Sequence, residues 1–255
     1  MRIDSSLVVF ITGASSGFGI QVGLDLLKRD CKCYLTDRDD IDNKLISQYP
    51  TTQVVFRHLD VTDEEGIKNA IKDCVKTFGH IDAVLNSAGI APLESIIGQN
   101  FSNKILAQCL SINVIGTFNV SKYAALQMAQ QQNTNKEKRR DYAIINVGSI
   151  ASVNALDKGS IYGASKGAVL AMTLPMARDL GRYGIRVVCM CPGFFNTKMV
   201  QQIPQTNLQQ LAKLTCLGRH GEPSEFSNAF QAIIENTFIN GTHFYLDSSM
   251  ATPHL

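Results

Sequence analysis

The chain has 255 residues, 45% of them hydrophobic and 18% charged, with a formal net charge of +2, seven cysteines and no tryptophan. A chain of this size buries enough surface to fold without disulfide or metal staples; its length allows one or two domains, and with no composition break to mark a linker residues 1–255 are expected to form one. The small charge excludes a nucleic-acid binder driven mainly by phosphate attraction, and no apolar run approaches the roughly 18 residues of a membrane span.

Strand-like apolar runs alternate with helix-like periodic stretches along the chain. Residues 7–12 read as a strand, 17–29 as a helix, 32–36 as a strand and 41–49 as a helix. Then follow 53–58 (strand), 63–78 (helix), 83–86 (strand) and two helical stretches, 102–111 and 114–131. Residues 142–147 read as a strand, 160–183 as a helix, 185–191 as a strand, 199–214 and 223–236 as helices, and 242–246 as a closing strand. The apolar runs are continuous rather than alternating, which is the pattern of a parallel sheet buried on both faces. Right-handed crossovers then give an α/β, doubly wound parallel sheet of about seven strands with helices on both faces. The polar stretch 133–141 reads as a surface loop, its basic residues more in keeping with a solvated turn than with an RNA site. Residues 1–6 are too short for a signal peptide, so no cleavable presequence is expected in this chain.

The cysteines are odd in number and dispersed, with Cys31 and Cys33, and Cys189 and Cys191, each two apart. That spacing puts each pair on one strand face, where a disulfide is hard to close. No CxxC occurs and the histidines are isolated, so reduced, buried thiols are expected rather than a disulfide framework or a metal site.

Between the first strand and the first helix lies Thr12-Gly13-Ala14-Ser15-Ser16-Gly17-Phe18-Gly19. Glycines at 13, 17 and 19 permit a tight turn and close approach of backbone to a pyrophosphate, and the helix start offers free N–H groups. This strand–turn–helix is the Rossmann-type setting for a dinucleotide. Asp37 follows Gly19 by eighteen residues, at the end of the second strand. Its carboxylate accepts ribose hydroxyls and repels a 2′-phosphate, which favours NAD over NADP, although the neighbouring Arg38 would welcome that phosphate. Asp60 is a second acid at a strand's carboxyl end.

Tyr162 and Lys166 lie four apart on one helix and so share a face. A nearby ammonium favours the phenolate and lowers a tyrosine's pKa toward the range useful for proton transfer. Ser149, thirteen residues before Tyr162 at the end of the fifth strand, can hydrogen-bond the same substrate oxygen.

On these residues, together with Asn86-Ser87-Ala88-Gly89, Asn113 and Pro192-Gly193, the chain resembles the short-chain dehydrogenase/reductase family over nearly its whole length. The resemblance implies that Tyr162 is the general acid/base, that Lys166 lowers its pKa and holds the nicotinamide ribose, that Ser149 orients the substrate oxygen, and that Asn113 fixes a water in a proton relay. It implies cofactor contacts at Gly13, Ser16, Gly17, Phe18, Gly19 and Asp37. Asp60 and Val61 would meet the adenine, Ser87 and Gly89 the ribose region, and Phe195 and Thr197 the nicotinamide end. Ser87 departs from the family's usual second asparagine. Stretches 116–120, 172–180, 184–187, 231–236 and 240–241 are similar to a subgroup of 3-hydroxyacyl-CoA dehydrogenases that also take steroids. That similarity implies an NAD-dependent enzyme acting on acyl-CoA or sterol alcohols, a homotetramer and a mitochondrial address. Segment 90–103 is shorter than in that subgroup, which bears on substrate contact.

The segments able to roof a dry pocket are 90–99, 150–160 and 194–219, the last read as a substrate lid. They supply Leu93, Ile96, Leu156, Phe194, Met199, Ile203, Leu208, Leu211 and Leu214, which suit an acyl chain or sterol. Equally, helix 199–214 needs an apolar stripe to pack on its own domain. Lys198, Lys213 and Arg219 are candidates for CoA phosphates. Two other readings stand beside the NAD enzyme: a scaffold subunit of a mitochondrial assembly such as RNA processing, which the intact Ser149, Tyr162, Lys166 and Asn113 set argues against, and an NADP-dependent 3-ketoacyl carrier-protein reductase, which Asp37 opposes. No metal and no direct contact with nucleic acid are expected.

Overall fold

The apolar runs become seven strands: β1 (Val8–Thr12), β2 (Lys32–Asp37), β3 (Val54–His58), β4 (Ala83–Asn86), β5 (Tyr142–Val147), β6 (Ile185–Pro192) and β7 (His243–Leu246). The computed structural model describes residues 1–99, 101–134, 141–155, 157–198 and 205–250. The strands pair in parallel in one sheet of order β3-β2-β1-β4-β5-β6-β7. Every residue of β1, β4, β5 and β6 is buried, because helices cover both faces and no strand face needs a polar side.

The helices are α1 (Gly17–Leu27), α2 (Asn43–Ile46), α3 (Glu64–Phe78), α4 (Asn103–Leu110), α5 (Thr117–Thr134), α6 (Ser160–Leu180), α7 (Gln205–Lys213) and α8 (Pro223–Glu235). One face of the sheet packs Val22 and Leu26 of α1 with Phe226 and Phe230 of α8. The other packs Ile67 and Ile71 of α3, Val120 and Met128 of α5 and Ala177 of α6. Helix starts carry their own signals. Glu64 and Glu65 stand in the first turn of α3, where the helix dipole favours them. Glu222 and Glu225 make a capping box around Pro223 at the start of α8.

Two stretches differ from the periodic reading. The expected helix 41–49 shrinks to α2: Asp42 caps it by accepting from Lys44 N, and Pro50 disfavours helical backbone just before it. Between α4 and α5, Ser111–Gly116 winds as a π-helical turn, so the two helices run on without a break. Of the expected surface loop, Asn133 ends within α5 and residues 135–140 lie outside the described residues.

The strand order reverses between β1 and β4, and ligands of open α/β sheets bind at the carboxyl edge of such a switch point. Thr12, Asn86, Asn146 and Cys189 stand level across β1, β4, β5 and β6. The Asn86 amide donates to Asn146 Oδ1 at 2.8 Å and to Ser121 Oγ at 2.9 Å, tying both strands to α5 just beneath that edge.

At the opposite, amino-terminal end of the strands, buried Arg186 on β6 holds the end of α8 and the segment after it. It pairs with Asp141 at 2.9 Å and donates to the carbonyls of Ile233, Ile234 and Ile239 at 3.0–3.2 Å. Arg186→Met would take this donor from those carbonyls and leave the Asp141 carboxylate with only the Met1 ammonium, at 3.3 Å. It is expected to cost about 2–4 kcal/mol in urea unfolding, whereas Lys28→Met, which removes an exposed pair, should cost less than about 1 kcal/mol.

Candidate active site

The turn after β1 lies hard against the end of β4. Gly13 has φ +66°, and a Cβ there would stand 2.6 Å from Ala88 N. Gly19, one turn into α1, faces inward: its Cβ would be 2.3 Å from Gly13 O and 2.7 Å from Ser87 Oγ. Ser87 Oγ in turn donates to Thr12 O at 2.6 Å. The start of α1 therefore sits directly over the switch point. Ser16 precedes the helix with no side-chain cap, and the first turn has no acid, which leaves the positive end of the helix for an anion.

A cleft opens there. Of the residues expected to hold a cofactor, Gly13, Ser16, Gly17, Phe18, Asp37, Asp60, Val61, Ser87, Gly89 and Thr197 line it. The glycine turn, the open helix start and the acid beyond them fit a dinucleotide. Asp37 closes the far side by accepting from Ser15 N at 2.8 Å and Asp39 N at 3.0 Å, so its carboxylate is set by the turn itself. Asp60 accepts from the Thr62 amide and hydroxyl at 2.9 and 2.8 Å. Asp39, Leu59, Ile90 and Ile112 also line the cleft. The sequence reading did not single them out, and only Asp39, beside Asp37, carried a signal.

Four expected contacts are not in its lining: Gly19, Phe195, and Tyr162 and Lys166, which belong to the second group described below. Gly19 lets α1 approach the turn and does not reach the cleft wall. Phe195 is buried, its ring edge-on to Phe18 at 5.2 Å and next to Phe226, where it wedges the start of α1 against α8.

The second group of residues gathers at the ends of β5 and α6. Lys166 is buried and its ammonium donates to Val147 O at 2.7 Å. Burial pushes it down to about 8. Its nitrogen lies 5.8 Å from the Tyr162 ring centre. The expected lowering of Tyr162 by this ammonium is not what governs the phenol here: burial raises its pKa, opposed by a hydrogen bond with Ser149. The reason is geometric, since the ammonium is turned to the strand carbonyl. Ser149 is buried at the end of β5, and its hydroxyl accepts from Ala151 N at 3.1 Å.

Asn113 sits inside the π-helical turn, a feature often found at functional sites. Its amide is stitched both ways to Ile90: Oδ1 accepts from Ile90 N at 2.9 Å, and Nδ2 donates to Ile90 O at 2.8 Å. Nδ2 also donates to Ser165 Oγ at 2.9 Å. A Cβ on Gly89 would be 3.2 Å from Asn113 Oδ1 and 3.6 Å from Lys166 Nζ. Gly89 is thus the hinge between the cleft and the proton-transfer group. Ser165 and Ile90 had no sequence signal, because their part comes from contacts far apart in the chain.

On the substrate side, Leu93, Ile96 and Leu214 are exposed, while Phe194 and Leu211 are half-buried. Leu156, Met199 and Ile203, and the side chain of Leu208, lie outside the described residues. Lys198 reaches the cleft and Lys213 is exposed. Arg219, a candidate for a CoA phosphate, is instead committed to Glu225 through two bonds of 2.7 and 2.8 Å. That pairing draws Glu225 down to about 2. Among the described residues no helix is long and apolar enough to cross a membrane, and no group of three or more His, Cys, Asp or Glu is placed to hold a metal ion.

Known proteins resemble this arrangement throughout. A family model for short chain dehydrogenase matches residues 7–208. The human 3-hydroxyacyl-CoA dehydrogenase type-2 is 33% identical over 254 residues, covering 98% of this chain and 97% of its own. A solved structure of ElxO with NADP bound superposes with a TM-score of 0.85 at 26% identity, over 97% of this chain and 99% of its own. A 3-ketoacyl-(acyl-carrier-protein) reductase from Brucella melitensis complexed with NADH shares the fold, with a TM-score of 0.87 at 21% identity over 98% of this chain and all of its own.

Lys166 also makes a stability prediction. Its folded value of about 8 lies below that of free lysine. Between the two the unfolded chain binds more protons, so stability rises with pH through that window. Lys166→Met removes the buried charge. It is expected to stabilise the protein by about 1–3 kcal/mol at neutral pH, an advantage that fades toward about pH 10, as read from melting curves at both pH values.

Proposed function

The chain belongs to the short-chain dehydrogenase family, and within it we propose an NAD-dependent enzyme that interconverts 3-hydroxyacyl-CoA and 3-ketoacyl-CoA, with hydroxysteroids as further alcohols. The oxidoreductase class follows from the family. The choice of NAD rests on Asp37, whose carboxylate lines the cleft at the end of β2 and is held there by two backbone amides. A 2′-phosphate would meet that charge, with Asp39 beside it. Arg38, the nearest cation, leans to Asp39 at 3.5 Å. The choice of acyl-CoA is supported by the 33% identity to the human 3-hydroxyacyl-CoA dehydrogenase over 98% of this chain.

When bound, the nicotinamide accepts a hydride in alcohol oxidation and supplies one in ketone reduction. The residues of this chain handle the proton and the geometry. The glycine turn and the start of α1 take the pyrophosphate, while Asp37 takes the adenosine ribose. Ser149 hydrogen-bonds the substrate oxygen and orients it. Tyr162 gives its proton to that oxygen in reduction and takes it back in oxidation. Burial holds the phenol protonated, so the resting site is set for reduction. The Lys166 ammonium offsets the negative charge left on Tyr162, and Asn113 completes the route by which the proton is replaced. Residues 194–198 and 205–219 are read as the roof of the same single domain. Ile115, Phe118 and Leu126 before and along α5, with Leu174 on α6, are exposed apolar residues that support a homotetramer. The mitochondrial address is carried by resemblance to the subgroup.

The test is turnover of acetoacetyl-CoA with NADH and then NADPH, followed by loss of reduced-nicotinamide absorbance. NADH is expected to be the better donor, and preference for NADPH would overturn the assignment of Asp37. Tyr162→Phe is expected to lose roughly 10²–10⁴-fold in turnover and still bind NADH. NADH binding by the unaltered protein without turnover of any ketone would favour the scaffold reading. Reduction is expected to fall as pH rises through about 8, where Lys166 gives up its proton.

A further inference from the structure

The end of β3 carries a histidine that lies outside the cofactor cleft and braces one wall of it. His58 is the last residue of β3 and stands opposite Asp37 in the parallel pairing of β2 with β3. The next residue, Leu59, donates its amide to Asp37 O at 2.8 Å, so the turn after β2 is laid against the end of β3. From there the His58 ring reaches both sides of Asp39. Its Nδ1 lies 3.3 Å from Arg38 O, and its Nε2 lies 3.2 Å from Asp40 Oδ1. Asp39 is the residue between those two, and its amide donates to Asp37 Oδ1 at 3.0 Å. His58 therefore grips both neighbours of a residue that holds the Asp37 carboxylate in the cleft wall.

Both partners of the ring are acceptors. A carbonyl and a carboxylate have no hydrogen to offer, and a neutral imidazole has a single N–H. The neutral ring can hold one partner and must turn a lone pair on the other. Only the imidazolium, with two N–H groups, makes both bonds. A histidine side chain changes charge between about pH 5 and 8, so the grip is titratable. The other charged groups around it have partners of their own or stand in solvent. Arg57, its neighbour on β3, pairs with Asp73 of α3 at 3.2 Å, and Arg38 leans to Asp39 at 3.5 Å. Asp60 accepts from Thr62. Phe56, edge-on to the His58 ring at 5.3 Å, packs on the same core as Leu45 and Ile46 of α2. There Asp42 caps the helix by accepting from Lys44 N, and the Lys44 side chain is exposed.

We propose that His58, as an imidazolium, is a positioning residue for the dinucleotide: it fixes the turn Arg38–Asp40, and through it the Asp37 carboxylate that takes the adenosine ribose, so that NADH binds more tightly as pH falls. The inference rests on the reading of the cleft as an NAD site. His58 does not line that cleft and acts only through the turn. The sign follows from linkage. Bound cofactor favours the fixed turn and the fixed turn favours the protonated ring, so binding takes up a proton and affinity drops as pH rises. The His58 and Asp40 side chains are 62% and 93% exposed, so solvent screens their pairing and the effect is small, roughly two- to fivefold in the Kd for NADH.

The test is an equilibrium titration of the full chain with NADH, followed by nicotinamide fluorescence, at about pH 6 and about pH 7.5. The Kd is expected to be roughly two- to fivefold lower at the acid pH. His58→Ala is expected to bind at the weaker value at both. Asp40→Asn separates the grip from simple attraction between a cation and the pyrophosphate. An asparagine turns its oxygen to the imidazolium and its amide nitrogen to the neutral ring, so both bonds survive at either pH. That variant is expected to bind at the tighter value throughout. A pH step that persists in Asp40→Asn would assign the effect to charge alone and overturn the proposal. So would a step that persists in His58→Ala, or a Kd of the unaltered protein that does not change with pH. A second readout needs no cofactor. In the free protein the Asp39 amide NMR resonance is expected to move with the same midpoint as the His58 ring, and an amide that does not follow the ring would also overturn the proposal. Absence of NADH binding at either pH would overturn the NAD reading itself, while the free-protein titration still reads the grip.

Discussion

A charged side chain held in a dry place is the constraint on which the centre of this molecule depends. The Lys166 ammonium has Val147 O as its near partner and otherwise faces the sulfurs of Cys109, Cys189 and Cys191 and the Tyr162 ring. Lysine in that setting is expensive, and its lowered pKa measures the strain. An acid placed beside it would relieve the cost and would also consume the charge. The surrounding residues instead keep the charge uncommitted: among the described residues no carboxylate pairs with it, and Asn113 is occupied with Ile90 and Ser165. The site gives up folding energy to hold a cation that only substrate chemistry can fully use.

The cleft beside it is built on the opposite principle, close contact of backbone with backbone. The turn at Gly13 and the end of β4 touch so tightly that side chains are excluded. That contact brings the start of α1, the Asp37 carboxylate and the Gly89–Ile90 segment into one opening. Lys166 and Asn113 meet the same opening from behind, through Gly89. The two halves of the reaction, holding a dinucleotide and moving a proton, share one residue as their border.

Much of this was readable in the chain. A parallel sheet covered on both faces forces continuous apolar runs, and β4 and β5 fall where those runs lie. The glycine turn and the acid at the end of β2 line the cleft as their spacing required. What could not be read depends on partners far apart in sequence. The pairing of Asn113 with Ile90 spans 23 residues. The inward turn of Phe195 is set by Phe18 and Phe226. Arg219 looked like a free cation until Glu225 closed on it. The lean of Cys189 toward Cys191 is a rotamer choice, and strand periodicity says only that they share a face.

The π-helical turn at Ser111–Gly116 has a consequence of a different kind. It is one extra residue wound into an otherwise continuous helix, so α4 and α5 are out of phase with each other by that residue. Two separate helical stretches, 102–111 and 114–131, are what such a phase break looks like in a sequence. A point substitution can replace Asn113, but it cannot remove the offset that aims it at Ile90. Only a deletion can do that. Against gradual change by substitution, the wiring of this helix is therefore more durable than the identity of any residue on it.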